Sequence, residues 1–276
     1  MQFADINGVT LHYQLIGGPA SKPVIVFANS LGTDFRIWRD VIIRLAGDFA
    51  IVTYDKRGHG LSSVGTSPYS LDDHVVDLAG LLDFLNVKNA IICGLSVGGL
   101  IAQGLYASRP DLVRALVLCD TAHKIGNAHS WNARIAALEE NGIESIADTI
   151  LERWFTPTFH RESSPALTGY RNMLIRQPLA GYAGTCAAIR DADLTEDAGR
   201  ISVPTICIVG DQDGSTPPDV VLSMAKLIPG ARYEVIKDAG HIPCVEQPEM
   251  LVAIIRAFID EFKLEGNPIL SNSTLN

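Results

Sequence analysis

The stretch Ala90-Ile91-Ile92-Cys93-Gly94-Leu95-Ser96-Val97-Gly98-Gly99-Leu100 constrains this chain more than any other. An apolar, β-branched run leads into G-x-S-x-G and then into residues that suit a helix, the pattern of a serine held on a sharp strand-to-helix turn. The backbone is cramped at such a turn, so the residues flanking the serine must be small, and Gly94 and Gly98 meet that need. The hydroxyl then stands above a helix N-terminus, where N–H groups lack intrahelical partners. A serine on a turn is ordinary by itself; the strand before it and the helix after it make Ser96 a candidate nucleophile.

Similar strand-like runs recur at Val9 to Ile16, Val24 to Ala28, Ala50 to Tyr54, Ala115 to Cys119, Thr205 to Val209 and Tyr233 to Ile236. Several are apolar at every position, as expected of strands covered on both faces. Helix-like stretches separate them: Trp38 to Ala46, Leu71 to Leu85 with Ser70 as N-cap, Gly98 to Ser108, and Pro218 to Leu227. This alternation predicts an α/β fold with a mostly parallel central sheet flanked by helices.

The alternation breaks between about Ala122 and Ile201, where apolar residues fall at helical spacing through Ile135 to Leu138, Ile146 to Phe155 and Met173 to Ile175. We read residues 122–201 as a helical cap inserted into a core formed by residues 1–121 and 202–264. A last amphipathic helix follows Pro248 and runs to about Phe262. The tail, 265–276, is rich in Ser and Asn without apolar periodicity, as in a disordered end or a segment foreign to the natural chain.

Composition narrows the function. Apolar residues make up 47% of the 276 and charged residues 19%, enough to bury a large core. With 22 basic residues against 31 acidic ones and no Lys/Arg run, the chain offers no stripe for tracking phosphates, so no nucleic-acid partner is expected. Met1 to Gly8 lack the basic start and apolar stretch of a signal peptide, and no run of 18 apolar residues follows, so no membrane span is expected. Cys93, Cys119, Cys186, Cys207 and Cys244 are odd in number and form no CxxC pair, which suits reduced thiols in the cytoplasm.

A serine nucleophile needs a base and an acid. His241, in Asp238-Ala239-Gly240-His241-Ile242-Pro243, falls on a loop between the last strand and the last helix, and imidazole is suited to take a proton near neutrality and return it. The strand Thr205 to Val209 runs into Gly210-Asp211-Gln212-Asp213, which puts two candidate acids past its carboxyl end. The negative charge that develops on an attacked carbonyl calls for two pre-aimed donors. The loop Asn29-Ser30-Leu31-Gly32-Thr33-Asp34 and the elbow supply a candidate oxyanion hole from the backbone N–H groups of Leu31 and Val97. His59, in a Gly-rich loop after a strand, is expected to steady that loop and not to react. His123, His129 and His160 lack HxH or HExxH spacing, so neither a metal nor another cofactor is expected.

Together G-L-S-V-G-G, D-x-R-G-H-G, the G-D-Q-D turn and D-A-G-H resemble the α/β-hydrolase superfamily from about Phe3 to Phe262. That resemblance implies Ser96, Asp213 and His241 as a triad, since the acid usually takes the fourth position of the G-x-x-D turn; Asp211 and Asp120 are lesser candidates. Where most relatives carry His-Gly, this chain has Asn29-Ser30. The run Asn29 to Thr33 is similar to that of the 3-oxoadipate enol-lactonases, as are Tyr54-Asp55-Lys56-Arg57-Gly58-His59-Gly60-Leu61-Ser62 and Glu152-Arg153-Trp154-Phe155-Thr156-Pro157.

The likeness implies opening of an enol-lactone to 3-oxoadipate in the β-ketoadipate branch of aromatic catabolism, without a cofactor. Such a carboxylated small-molecule substrate calls for a local cation in a protein of net charge −9. Arg134, Arg153, Arg176 and Arg190 are the cap candidates; Trp131 and Trp154 serve equally as pocket walls or as cap core. A triad alone does not choose the acyl donor, so other carboxylic-ester or carbon–carbon bond hydrolases, and a ligand receptor on the same fold, are the rival readings. Haloalkane dehalogenation is disfavoured because it needs a carboxylate where Ser96 stands.

Overall fold

The computed structural model describes residues 1–162 and 164–264; the tail 265–276 lies outside the described residues. Eight strands form one sheet: β1 (Gln2–Ile6), β2 (Val9–Ile16), β3 (Val24–Ala28), β4 (Ala50–Tyr54), β5 (Ala90–Leu95), β6 (Val113–Cys119), β7 (Thr205–Gly210) and β8 (Arg232–Ile236). Their order is β1-β2-β4-β3-β5-β6-β7-β8, antiparallel between β1, β2 and β4 and parallel from β4 onward. Every residue of β3, β4, β5 and β7 is buried, which explains their unbroken apolar sequences.

The helices of the core are α1 (Arg39–Leu45), α2 (Leu71–Phe84) and α3 (Val97–Ser108), and after the insertion α10 (Pro218–Leu227), α11 (Pro243–Glu246) and α12 (Pro248–Glu261). Ser70 caps α2 as its sequence predicts: its side chain accepts from the Asp73 N–H while Asp73 reaches back to the Ser70 N–H. Between β6 and β7 the described residues contain helices and no strand: α4 (Ala128–Asn141), α5 (Ala147–Trp154), α6 (Pro157–Glu162), α7 (Ser164–Ile175), α8 (Leu179–Asp191) and α9 (Thr195–Ala198). Within this run α4 packs on α8 and α5 on α7.

Two details differ from the sequence reading. The sheet begins one strand earlier, because β1 pairs with β2 through a hairpin whose turn, Asn7-Gly8, holds positive φ at both residues. Asn-Gly is the dipeptide that such a turn favours, so the signal was present. The first helix also starts as a 3-10 turn over Phe35–Trp38, capped by Asp34, before α1 begins.

The elbow is the tightest point of the core. A Cβ added at Gly98 would collide with the carbonyl oxygen of Ala28 at the end of β3, and one added at Gly94 with the carbonyl of Gly98. Both obstacles are backbone, so neither gives way cheaply. Gly98→Ala is therefore expected to destabilise the protein by about 3 kcal/mol, read as a lowered urea midpoint at unchanged slope; an unaltered midpoint would show that α3 does not need this approach to β3.

Candidate active site

Ser96 sits between β5 and α3 with φ 58° and ψ −120°, a conformation that costs a non-glycine residue about 1–3 kcal/mol and persists only where its surroundings impose it. They do so here through hydrogen bonds. The Ser96 N–H donates to the Cys119 carbonyl (3.0 Å), and the Ser96 carbonyl accepts from the Thr121 hydroxyl (2.7 Å) and the Gly99 N–H (2.8 Å). The side chain opens into a cavity of about 370 Å³ whose walls include Leu31, Trp131, Arg134, Arg153, Trp154 and His241.

His241 follows β8, and its Nδ1 lies 2.9 and 3.0 Å from the two carboxylate oxygens of Asp213. The acid thus selects the tautomer with hydrogen on Nδ1, leaving Nε2 free as an acceptor. Burial pushes the Asp213 pKa up, but His241, the Thr216 hydroxyl (2.7 Å) and the Ser215 N–H (2.7 Å) outweigh it and hold the carboxyl at about 2. Asp211, the other acid of the turn, instead pairs with Lys237 and accepts from the Ala239 N–H. Thr216 escaped the sequence reading, although a hydroxyl three residues beyond Asp213 is a common turn-forming partner.

Asp120 ends β6 and is fully buried behind this pair. Its carboxyl oxygens, those of Asp213 and a ring nitrogen of His241 come within 4.8 Å of one another, the one such group of potential ligands among the described residues. Asp120 Oδ1 accepts from the Gly210 N–H (2.9 Å), and no donor faces Oδ2. Burial, and then the neighbouring charge of Asp213, push the Asp120 pKa well above its ordinary value. Asp213 collects the donors and is held low, so of the two carboxyls Asp120 is the one that holds its proton more tightly.

On the opposite wall, Leu31 faces the cavity from the loop after β3, and Val97 opens α3. Neither N–H has a hydrogen-bond acceptor among the described residues. His59 is buried in the loop after β4, where it accepts from the Gly32 N–H at Nε2 (3.0 Å) and lies 3.3 Å from the Arg57 carbonyl at Nδ1. Burial, with Lys56 nearby, keeps it neutral by pushing its pKa well down. It ties one loop to another, as expected.

The four candidate arginines between β6 and β7 separate. Arg134 lies 4.8 Å over the Trp131 ring, beside the Tyr182 hydroxyl, and faces the cavity together with Arg153. Neither has an ion-pair partner among the described residues. Arg190 instead pairs with Asp191 and Asn132, and Arg176 borders a separate groove beside β2. Trp131 and Trp154 are both buried and both line the cavity, so each serves as core and as wall.

A strand-serine-helix elbow, an aspartate after β7 and a histidine after β8 are the marks of one fold family. The profile of the alpha/beta hydrolase fold matches residues 23–248, and the chain belongs to that family of hydrolytic enzymes. It is similar to 3-oxoadipate enol-lactonase 2 and 3-oxoadipate enol-lactonase 1 of Acinetobacter baylyi, at 35% and 37% identity, each over 92% of this chain and 94% of the relative. Among solved structures it resembles the enol-lactonase from Burkholderia xenovorans LB400, with a TM-score of 0.90 and 35% identity over 94% of this chain and 100% of that one.

The raised pKa of Asp120 has a measurable consequence. A carboxyl whose pKa is higher folded than unfolded contributes stability below the unfolded value near 4 and loses it as pH rises toward the folded value. Asn at position 120 keeps an acceptor for Gly210 and a donor for Asp213 without that titration. Asp120→Asn should therefore gain stability relative to the parent as pH rises above about 4, by at most about 1.4 kcal/mol per pH unit. Urea unfolding at pH 4, 6 and 8 measures this; a difference independent of pH would mean that Asp120 is ionised in the folded protein.

Proposed function

We propose that this protein hydrolyses 3-oxoadipate enol-lactone to 3-oxoadipate, a step of the β-ketoadipate route, through an acyl-enzyme on Ser96. The likeness to two lactonases of that name over nine-tenths of the chain carries the choice of lactone. The unpaired guanidinium groups of Arg134 and Arg153 in the Ser96 cavity support a carboxylated substrate in an acidic protein. Five free cysteines, all buried, suit a cytoplasmic setting. No helix among the described residues is long and apolar enough to cross a membrane.

In this reading residues 122–201 act as the cap that closes the pocket. Ser96 Oγ attacks the lactone carbonyl as His241 Nε2 takes its proton, Asp213 stabilises the imidazolium, and the Leu31 and Val97 N–H groups hold the oxyanion. Collapse breaks the bond to the ring oxygen. That oxygen takes the proton from His241 as an enol, which is a better leaving group than an alkoxide, and stays tethered to the acyl chain. Water then adds to the acyl carbon, giving a proton to His241, and Ser96 leaves with that proton. The diacid departs and its enol reverts to the ketone.

Ultraviolet loss of freshly generated enol-lactone tests the reading directly. Turnover should be rapid and fall by at least about 10⁴-fold in Ser96→Ala, with p-nitrophenyl acetate a poor substrate. Good ester hydrolysis without lactone turnover would reject this substrate while leaving a serine hydrolase. The carboxylate grip makes a separate prediction: Arg134→Met should raise the lactone KM by about 10- to 100-fold, the worth of a charge-assisted hydrogen bond, and leave the KM for the neutral ester within about threefold. Equal effects on both would remove Arg134 from substrate recognition.

A further inference from the structure

Lys56 is a charged residue that the mechanism above does not use. It follows β4, fully buried, with its Nζ directed at one short stretch of backbone: the carbonyls of Ser30 (2.6 Å), Asn29 (3.4 Å) and Thr33 (3.5 Å). Among the described residues no carboxylate lies within ion-pairing distance of its amine. Asp55 and Asp34 are the nearby acids, and His59 on the same turn and His74 on α2 the nearby histidines. Burial lowers the Lys56 pKa to about 7. A lysine so placed is costly unless its donors are needed where they are.

The geometry of the peptide group says what they do. The Ser30–Leu31 bond is trans, so the Ser30 carbonyl and the Leu31 N–H point in opposite directions across one rigid plane. The Ser30 oxygen is drawn to Lys56, and also accepts from the Thr33 hydroxyl (2.9 Å) and N–H (3.3 Å). The Leu31 N–H is thereby turned away from Lys56, toward the cavity that Ser30, Leu31 and Ser96 share. One residue on, the Gly32 N–H is held by His59, which comes from the same turn as Lys56. Successive peptides of the loop are thus gripped from behind, one by its oxygen and one by its nitrogen.

We propose that Lys56 is a positioning residue for the oxyanion hole, its Nζ fixing the Ser30–Leu31 peptide so that the Leu31 N–H faces the attacked carbonyl. This rests on the reading of Ser96 as nucleophile and of the Leu31 N–H as an oxyanion donor. The role requires an N–H donor at that point and not a formal charge, so either protonation state of the amine performs it. A misaimed donor weakens binding of the transition state and leaves ground-state binding nearly intact.

Lys56→Met, which leaves the carbonyls without a donor, and Lys56→Gln, which restores one, are compared with the parent on the lactone. Lys56→Met should lower kcat by about 10²- to 10³-fold, the usual effect of losing one oxyanion donor, with KM changed less than about threefold. Lys56→Gln should recover kcat to within about tenfold of the parent. Affinity for a trifluoromethyl ketone analogue of the substrate should fall in step with kcat, while inhibition by the product 3-oxoadipate stays constant.

Parent-like kcat in folded Lys56→Met overturns the proposal, as does an equal loss of kcat in folded Lys56→Gln or a loss carried by KM alone. If Lys56→Met does not fold, Lys56→Gln decides: recovered kcat supports the role, whereas a loss beyond 10²-fold, or failure of this variant to fold as well, overturns it. Fluorophosphonate labelling of the parent separates the two readings, because an unlabelled Ser96 would refute the serine mechanism itself, whatever the Lys56 variants do.

Discussion

The lateral pairing of β3 with β5 sets where everything chemical in this protein can be. The two strands run parallel in a register that matches Ala28 with Gly94, so both end at the same level of the sheet. The loop that offers the Leu31 N–H therefore leaves the sheet beside the turn that carries Ser96. The helix after Ser96 settles close enough to β3 that Gly98 has no room for a side chain. This contact brings the N-terminus of α3, and with it the Val97 N–H, next to the loop from β3. Ser96 and two backbone N–H groups converge because two neighbouring strands stop together and a glycine lets a helix close the gap.

Charge in the site is governed by burial more than by the net charge of the chain. Behind His241 two buried carboxyls lie side by side, and their pKa values move apart. Asp213 is held low because it collects the donors, namely His241, the Thr216 hydroxyl and two backbone N–H groups, while Asp120, with only the Gly210 N–H, is pushed up. On the far side of Ser96, the cavity holds guanidinium groups with no acid to neutralise them among the described residues. Most acidic residues are exposed, where salt screens them, although Asp34, Asp55, Asp77, Asp120 and Asp213 are buried. Inside, a few fixed groups at short range set the local field.

The parts of this arrangement that were legible in the sequence are those written in short, local patterns. The elbow, the acid turn and the histidine loop each occupy a few consecutive residues, and each directly follows a strand whose apolar run marks it. The Ser70 cap and the helical character of the inserted segment were readable for the same reason. Contacts between distant segments were not. Nothing local to Lys56 says that its Nζ meets carbonyls 23 to 27 residues upstream, and in D-x-R-G-H-G it occupies the position the pattern leaves open. Arg134 and Arg190 both lie on helices of the inserted segment; only the packing of α4 on α8 shows that Arg134 faces the cavity while Arg190 reaches across to Asn132.

The helices between β6 and β7 bear directly on the loops that carry Asp213 and His241. At the end of α5 the last carbonyls have no intrahelical donors, and they take them from those loops: the Arg153 carbonyl accepts from the Gly214 N–H, beside Asp213, and the Trp154 carbonyl accepts from the His241 N–H (2.8 Å). Glu246 closes the arrangement, with one carboxylate oxygen accepting from Thr156 and the other from the Gly240 N–H. The turn that presents the Arg153 and Trp154 side chains to the cavity is thus the same turn that ties the Asp213 and His241 loops together. Displacing α5 by a fraction of a hydrogen-bond length would move the cavity wall, Asp213 and His241 together, because these hydrogen bonds link them. This explains why Glu152 to Pro157, a stretch with no acid–base chemistry of its own, reads as part of the site.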